Sequence, residues 1–352
     1  MVYSGVTSSP SMADNSISKN ENLALRGICI SLIVLHNLVH NVVPFEENEK
    51  WFNPEFSDFF INNISGHPIL GSLSYLGWLG VPIFFFLSGY GLSKKYGKTI
   101  PNSFSFIKRH YLKLLLLAGP IILLKNIKLG TPPLQVLGQL TFLNNIYDNL
   151  SIYPRAFWYL RVAFELYIIY SLFLRRIPAK WLLFLSFVVT CSFYFFSDKV
   201  VESMKYHSIG WLLDFSLGVY AVHHGRWLER IETIYCSLLF FALLVFSSIN
   251  GYAWYFSTTF SILFFLSIKK HITNRLLIFL GSISAFLYVT HPLVRDIWLH
   301  WNLDYMIGNQ WYITLSVCSY FLISVLVAYL YCLLFKMIRV FFNNHFSKTR
   351  QL

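Results

Sequence analysis

From residue 23 to residue 341 the chain alternates long apolar runs with short polar breaks. Ten of these runs are long enough to cross a hydrocarbon core of about 30 Å: 23–43, 69–92, 107–129, 157–174, 179–197, 207–224, 232–250, 252–268, 274–295 and 310–341. The runs are continuous and lack the short alternating segments of a membrane β-barrel, so each is predicted to be a helix. Residues 1–22 are rich in Ser and Asn, with one Lys and no apolar stretch, and read as a polar tail instead of a cleaved signal peptide. The pattern predicts an all-α integral membrane protein of about ten transmembrane helices. One multi-spanning domain (23–341) lies between tails at 1–22 and 342–352, without a separate soluble domain or an internal repeat.

Composition supports the pattern. Of 352 residues, 56% are hydrophobic and 12% charged, with mean hydropathy +0.54. That leaves too little polar surface for a water-soluble globule, and excludes intrinsic disorder. The net charge of +12 must then be read against topology before any ligand is inferred. With the N-terminus inside, twenty of the 28 Lys and Arg residues fall on one side, among them Lys94, Lys95, Lys108, Arg109 and Lys113. The other side holds eight, including Lys125, Arg161, Lys205 and Arg295. This bias places both termini in the cytoplasm, with the basic excess serving orientation and anionic lipid headgroups, so nucleic acid is not implied. The loop 44–68, with Glu46, Glu47, Glu49, Glu55 and Asp58 against Lys50, suits the external side. Cys29, Cys191, Cys236, Cys318 and Cys332 are scattered in apolar runs and read as small buried residues.

Ionisable groups inside a span cost a few kcal/mol by insertion scales, so each is a candidate for function. The first run carries Arg26 near its cytoplasmic end and His36 about 15 Å further along, with His40 one turn beyond. Arg26 either snorkels to the interface or takes part in function. His36 and His40 have a spacing that suits a metal, but no carboxylate or Cys completes such a site. The second run ends Gly80-Val81-Pro82-Ile83-Phe84-Phe85-Phe86-Leu87-Ser88-Gly89-Tyr90-Gly91, where Ser88, Gly89 and Gly91 read as small residues that let helices approach closely. Phe106 to Lys113 opens the third run with a cationic face, suited to interfacial anchoring or to the phosphates of a cytosolic ligand. The ninth run carries Ser284-Ala285-Phe286-Leu287-Tyr288-Val289-Thr290-His291-Pro292. Asp296, five residues after His291, reads as a chance match to a soluble acyltransferase pattern.

Taken in order, these stretches resemble the acyltransferase-3 family of multi-spanning membrane acyltransferases, which O-acylate cell-surface glycans. The resemblance rests on the Arg26-Gly27 opening with a late histidine, the Gly80–Tyr90 segment, Phe106–Lys113, Trp158-Tyr159-Leu160 with Tyr167, and Ser284–Pro292, where Phe286 stands in place of the usual Tyr. One departure stands out. The family places ten residues between its basic residue and its histidine, whereas nine separate Arg26 from His36, which turns His36 about 80° away from Arg26 on a regular helix. His40 returns to within about 40°, one turn further out.

The resemblance implies a bacterial inner-membrane enzyme that uses acetyl-CoA or another acyl-CoA as donor, needs no metal, and acylates a hydroxyl of a polysaccharide, lipopolysaccharide or lipid-linked glycan. His36 is then the catalytic base or a transient acyl carrier, with His40 the alternative. His291 lies near the acceptor or the developing oxyanion, while Arg26, Lys108 and Arg109 hold the CoA phosphates. A secondary transporter or acyl-group exporter, in which these residues gate a pathway without catalysis, is the rival reading. A membrane scaffold with dispensable histidines is a third.

Overall fold

A computed structural model describes residues 17–42, 70–71, 77–97, 102–142, 157–249, 251–306 and 310–348, and the acidic loop 44–68 lies outside them. The described residues are mostly helical, with no strand among them. The helices are α1 (Lys19–Val39), α2 (Gly80–Tyr96), α3 (Ser103–Leu129), α4 (Pro133–Thr141), α5 (Trp158–Leu172), α6 (Ala179–Ser192), α7 (Asp198–Met204), α8 (Leu212–His223), α9 (Thr233–Ile249), α10 (Gly251–Ser267), α11 (Arg275–Ser282), α12 (Ser284–Met306) and α13 (Gln310–Lys348).

Local chemistry sets several of the helix ends. Ser18 and Glu21 form a reciprocal capping box at α1, so the helix begins inside the stretch read as a polar tail. Asn102 accepts from the amides of Phe104 and Ser105 to start α3, and Gly130, at φ 63°, closes it in the left-handed region. At the other end of the chain, α13 continues to Lys348, past the limit at 341 read from sequence.

Each of the ten apolar runs contains a helix, but the helices are less uniform than the runs. Among the described residues, Lys19–Val39 and Trp311–Val340 are long and apolar enough to cross a bilayer as single helices. A third span arises if Arg275–Ser282 and Ser284–Leu303, bent by 74° at Ile283, are taken as one broken helix. Other runs are interrupted, as where a 3₁₀ turn at Ser208–Trp211 leads into the twelve residues of α8.

The distribution of side chains is inverted relative to a soluble protein. Leu112, Leu116 and Leu123 on α3, Trp181, Phe184 and Val188 on α6, and Leu315, Leu322, Leu326 and Leu330 on α13 all face outward. Asp214, Ser216, Ser186, Thr258, Ser261, Ser324 and His291 are buried. Apolar outside and polar inside is the arrangement that lipid favours, and the chain is an all-α membrane protein.

Close backbone approach holds the centre together. α1 packs along α11, where a side chain at Gly27 would overlap the Leu277 carbonyl and one at Gly281 the Leu23 carbonyl. α2 packs on α8 in the same way, through Gly89 against Phe215 and Gly218 against Phe86. Gly91, also read as a contact glycine, faces open space, so the close approach belongs to Gly89 alone. The cysteines also divide. Cys29 and Cys332 are buried as expected, but Cys191 and Cys318 are exposed on the outer surface, because their helices turn that face away from the core.

Candidate functional site

The C-terminal end of α1 forms one wall of a pocket of about 190 Å³. His36, Asn37 and His40 line it from α1, Trp158 and Tyr159 from α5, Tyr288 and Arg295 from α12, and Lys205 and Tyr206 from the segment after α7. His36 is 5% exposed, and the glycine at 77 is what admits it, since a side chain there would collide with the His36 Cβ. Its ring stacks on that of His40 at 4.6 Å between centroids, with 20° between planes.

Hydrogen bonding fixes the His40 ring. The Nδ1–H of His40 donates to the His36 carbonyl at 2.7 Å, which leaves Nε2 to accept from the Asn41 amide at 3.3 Å. Both ring nitrogens of His40 are thereby committed to groups at the end of α1 and just beyond it. His40 buttresses His36.

α1 is regular α-helix across Lys19–Val39, without a π-bulge to correct the register, so Arg26 and His36 do occupy different faces. The packing compensates. Arg26, half-buried with its Nε lacking any hydrogen-bond partner, acts electrostatically on Tyr159 and Tyr167 of α5. The Ser88 side chain of α2 lies beside both phenols, so it adds a polar contact to the small-residue packing read from sequence. Tyr159 therefore belongs to two neighbourhoods. It meets Arg26 and Ser88 on one side, and on the other it packs edge-on against Tyr288 at 5.3 Å in the pocket wall.

The same line of side chains runs toward the other end of the bundle. Tyr167 meets the His110 ring edge-on at 5.1 Å, and Lys95, Arg109 and Lys113 surround His110 with positive charge. Lys108 and Arg109 themselves are exposed and stand apart from the pocket. A hollow of about 340 Å³ at this end is lined by Lys19, Tyr90, Lys94 and Lys95.

His291 is fully buried on α12 and packs against Tyr288 at 5.8 Å, one layer behind the pocket wall. Its Nδ1–H donates to the Leu287 carbonyl at 3.0 Å, and its Nε2 has no hydrogen-bond partner. In that tautomer Nε2 carries a lone pair, so it accepts a hydrogen bond from a hydroxyl and does not donate one to an oxyanion. Of the residues singled out in the sequence, the pocket thus gathers His36 and His40, with His291 directly behind. Arg26 is linked to it through Tyr159, while Lys108 and Arg109 remain at the far end. Among the described residues no group of three or more His, Cys, Asp or Glu side chains gathers to hold a metal.

Several polar residues escape a reading of the chain alone. Arg295, Lys125 and Asp296 form a charged triad, with Lys125 at 2.7 Å from one Asp296 oxygen and Arg295 at 2.8 Å from the other. Arg161 and Glu165 on α5 pin the 205–208 segment, Arg161 donating to the Tyr206 carbonyl and Glu165 accepting from the Ser208 amide. Asp214 is buried on α8 and accepts from Thr259 at 2.7 Å. An acid inside the 207–224 run is the signal that would have found it.

No curated protein and no solved structure matches the chain. The profile of the acyltransferase-3 family, described as an acyltransferase domain, matches residues 24–333, a stretch that contains every residue of the pocket and of the line leading from it. The chain therefore belongs to the acyltransferase-3 family of membrane acyltransferases.

Proposed function

We propose that the protein, embedded in the bacterial inner membrane with both termini cytoplasmic, moves an acetyl or other short acyl group from acyl-CoA to a hydroxyl of a cell-surface glycan or its lipid-linked precursor. The observation that carries this reading is the continuous line of side chains through the bundle. It runs from His110 among its cations, by Tyr167, Ser88 and Tyr159, to Tyr288 and the pocket of His36. Basic residues at one end suit the phosphates of a cytosolic CoA ester, with Arg109 on the rim and Arg26 deeper along the acyl arm. A histidine pocket at the other end suits an acceptor hydroxyl.

In this mechanism His36 takes the proton from the acceptor hydroxyl as its oxygen attacks the thioester carbonyl. The new C–O bond forms, the C–S bond breaks, and the CoA thiolate leaves and recovers a proton from the His36 imidazolium. His291, one layer behind the wall, positions Tyr288, which faces the sugar in the pocket. His40, through its bond to the His36 carbonyl, keeps the base in place.

The test uses purified full-length protein in lipid nanodiscs with radiolabelled acetyl-CoA and surface glycan. Label should enter the glycan, and mass spectrometry of surface glycan from cells lacking the gene should show the missing acyl group. Label in glycan that survives His36→Ala would overturn the role of His36. Uptake of label into vesicles without glycan acylation would support transport instead.

A further inference from the structure

We propose that the ligand of the pocket beside His36 is an acidic saccharide, whose carboxylate or phosphate is held by the Arg295 guanidinium. As a statement about the acceptor this rests on the acyl-transfer reading above; as a statement about binding it does not.

The argument starts from the charge of the wall. Arg295 and Lys205 both line the pocket, and no Asp or Glu lines it among the described residues. Arg295 has a carboxylate neighbour, Asp296, but that carboxylate is already engaged. Its Oδ2 lies 2.7 Å from the Lys125 ammonium, which is buried and arrives from α3. Among the described residues, one carboxylate between two cations leaves one positive charge uncompensated, in a wall of a membrane-embedded bundle where such a charge is costly.

The guanidinium is also held still. Its Nε and Nη2 donate to Asp296 Oδ1 at 3.1 and 2.8 Å, and Nη1 reaches the Asn37 Oδ1 of α1 at 3.5 Å. Three of its five N–H groups are so engaged, and two remain. Its side chain is 15% exposed, enough to meet a ligand yet too buried to be rinsed by bulk water. Arg295 stands seven residues from Tyr288, two helical turns along the same face of α12, and both line the pocket. Asn37, which Arg295 touches, is the neighbour of His36. A guanidinium fixed at this place, with spare donors, matches a planar carboxylate or a phosphate bound next to the base.

Lys205 lines the same pocket. It is buried, and the segment that bears it is pinned by Arg161, Glu165 and a bond from Trp211 Nε1 to the Lys205 carbonyl at 2.7 Å. Trp78 and Trp158 in the same lining offer flat faces on which a sugar ring packs.

Saturation-transfer NMR on the full-length protein in nanodiscs of uncharged lipid tests this, with glucuronic acid, glucose 1-phosphate, glucose and CoA as separate probes. Glucuronic acid, glucose 1-phosphate or both should receive saturation, more weakly as salt is raised, and glucose at equal concentration should not; which of the two responds tells carboxylate from phosphate. Arg295→Gln should weaken that signal about tenfold or more, while Arg295→Lys keeps part of it. Asp296 retains Lys125 in both variants, so the fold is preserved, and an unchanged melting temperature checks it. Glucose binding as well as the acids, an unchanged signal in Arg295→Gln, or an Arg295-dependent signal from CoA alone would each overturn the proposal. Parallel acetyl-CoA assays separate the two readings. Acid binding without any acyl transfer sinks only the enzymatic reading, and Arg295-independent transfer to a neutral glycan sinks only this one.

Discussion

Replacing His40 and His36 one at a time tests how the α1 end is built. His40→Ala removes a 2.7 Å bond to the His36 carbonyl, a 3.3 Å contact with Asn41, and a ring stack at 4.6 Å. A neutral hydrogen bond contributes about 1 kcal/mol, and an aromatic pair about 0.5–1.5 kcal/mol. The carbonyl bond and the ring stack are the two that touch His36, so if all of their about 1.5–2.5 kcal/mol came from its placement, the rate would fall by no more than about 70-fold. Removing the base itself costs on the order of 10²–10⁴. So His36→Ala should lower acyl transfer at least about 100-fold, and His40→Ala should stay clearly above it. The assay is label transfer from acetyl-CoA to glycan, normalised to folded protein in nanodiscs. Equal loss in the two variants, or a greater loss in His40→Ala, would refute the assignment and move the base to the face that carries Arg26. Full activity in the double variant would leave both histidines structural.

Charge reversal at Lys108 and Arg109, both exposed and remote from His36, should raise KM for acyl-CoA more than it lowers kcat, because phosphate contacts act on ground and transition states alike; an unchanged KM returns them to interfacial anchoring. Gly77→Ala should cut activity while leaving most of the fold, since the added methyl collides with His36 and the cost of overpacking is about 1–3 kcal/mol; circular dichroism and the transfer assay together check it. Asp296→Asn should lower the melting temperature in scanning fluorimetry, as Lys125 and Arg295 lose their shared counter-charge at a cost of about 2 kcal/mol, less than for a fully buried pair because Asp296 is 30% exposed. Reporter fusions after residues 98, 178 and 348 should read cytoplasmic and those near 55 and 145 external; external signal at 98 would reverse the orientation and the side of the donor.

The chain by itself determined the class of the protein. Hydropathy is additive along a run, so its pattern specified helices in a membrane without knowledge of any contact, and buried cost marked His36 and His291 in the same way. The order of the motifs pointed to the family that the match over 24–333 establishes. Only the tertiary structure decided how those residues act together. Helical geometry alone turns Arg26 and His36 apart, and it is Tyr159, from a helix more than a hundred residues later, that meets both surroundings. Ser88 looked like a packing residue because a hydroxyl has the volume of a small group, and its phenol partners lie on α5. Arg295 and Lys125 read from sequence only as charges on the same side of the membrane, because their link through Asp296 joins α12 to α3 across 170 positions of sequence. Pairing of charges, choice of tautomer and enclosure of a pocket depend on distances between helices, and no local pattern encodes those distances.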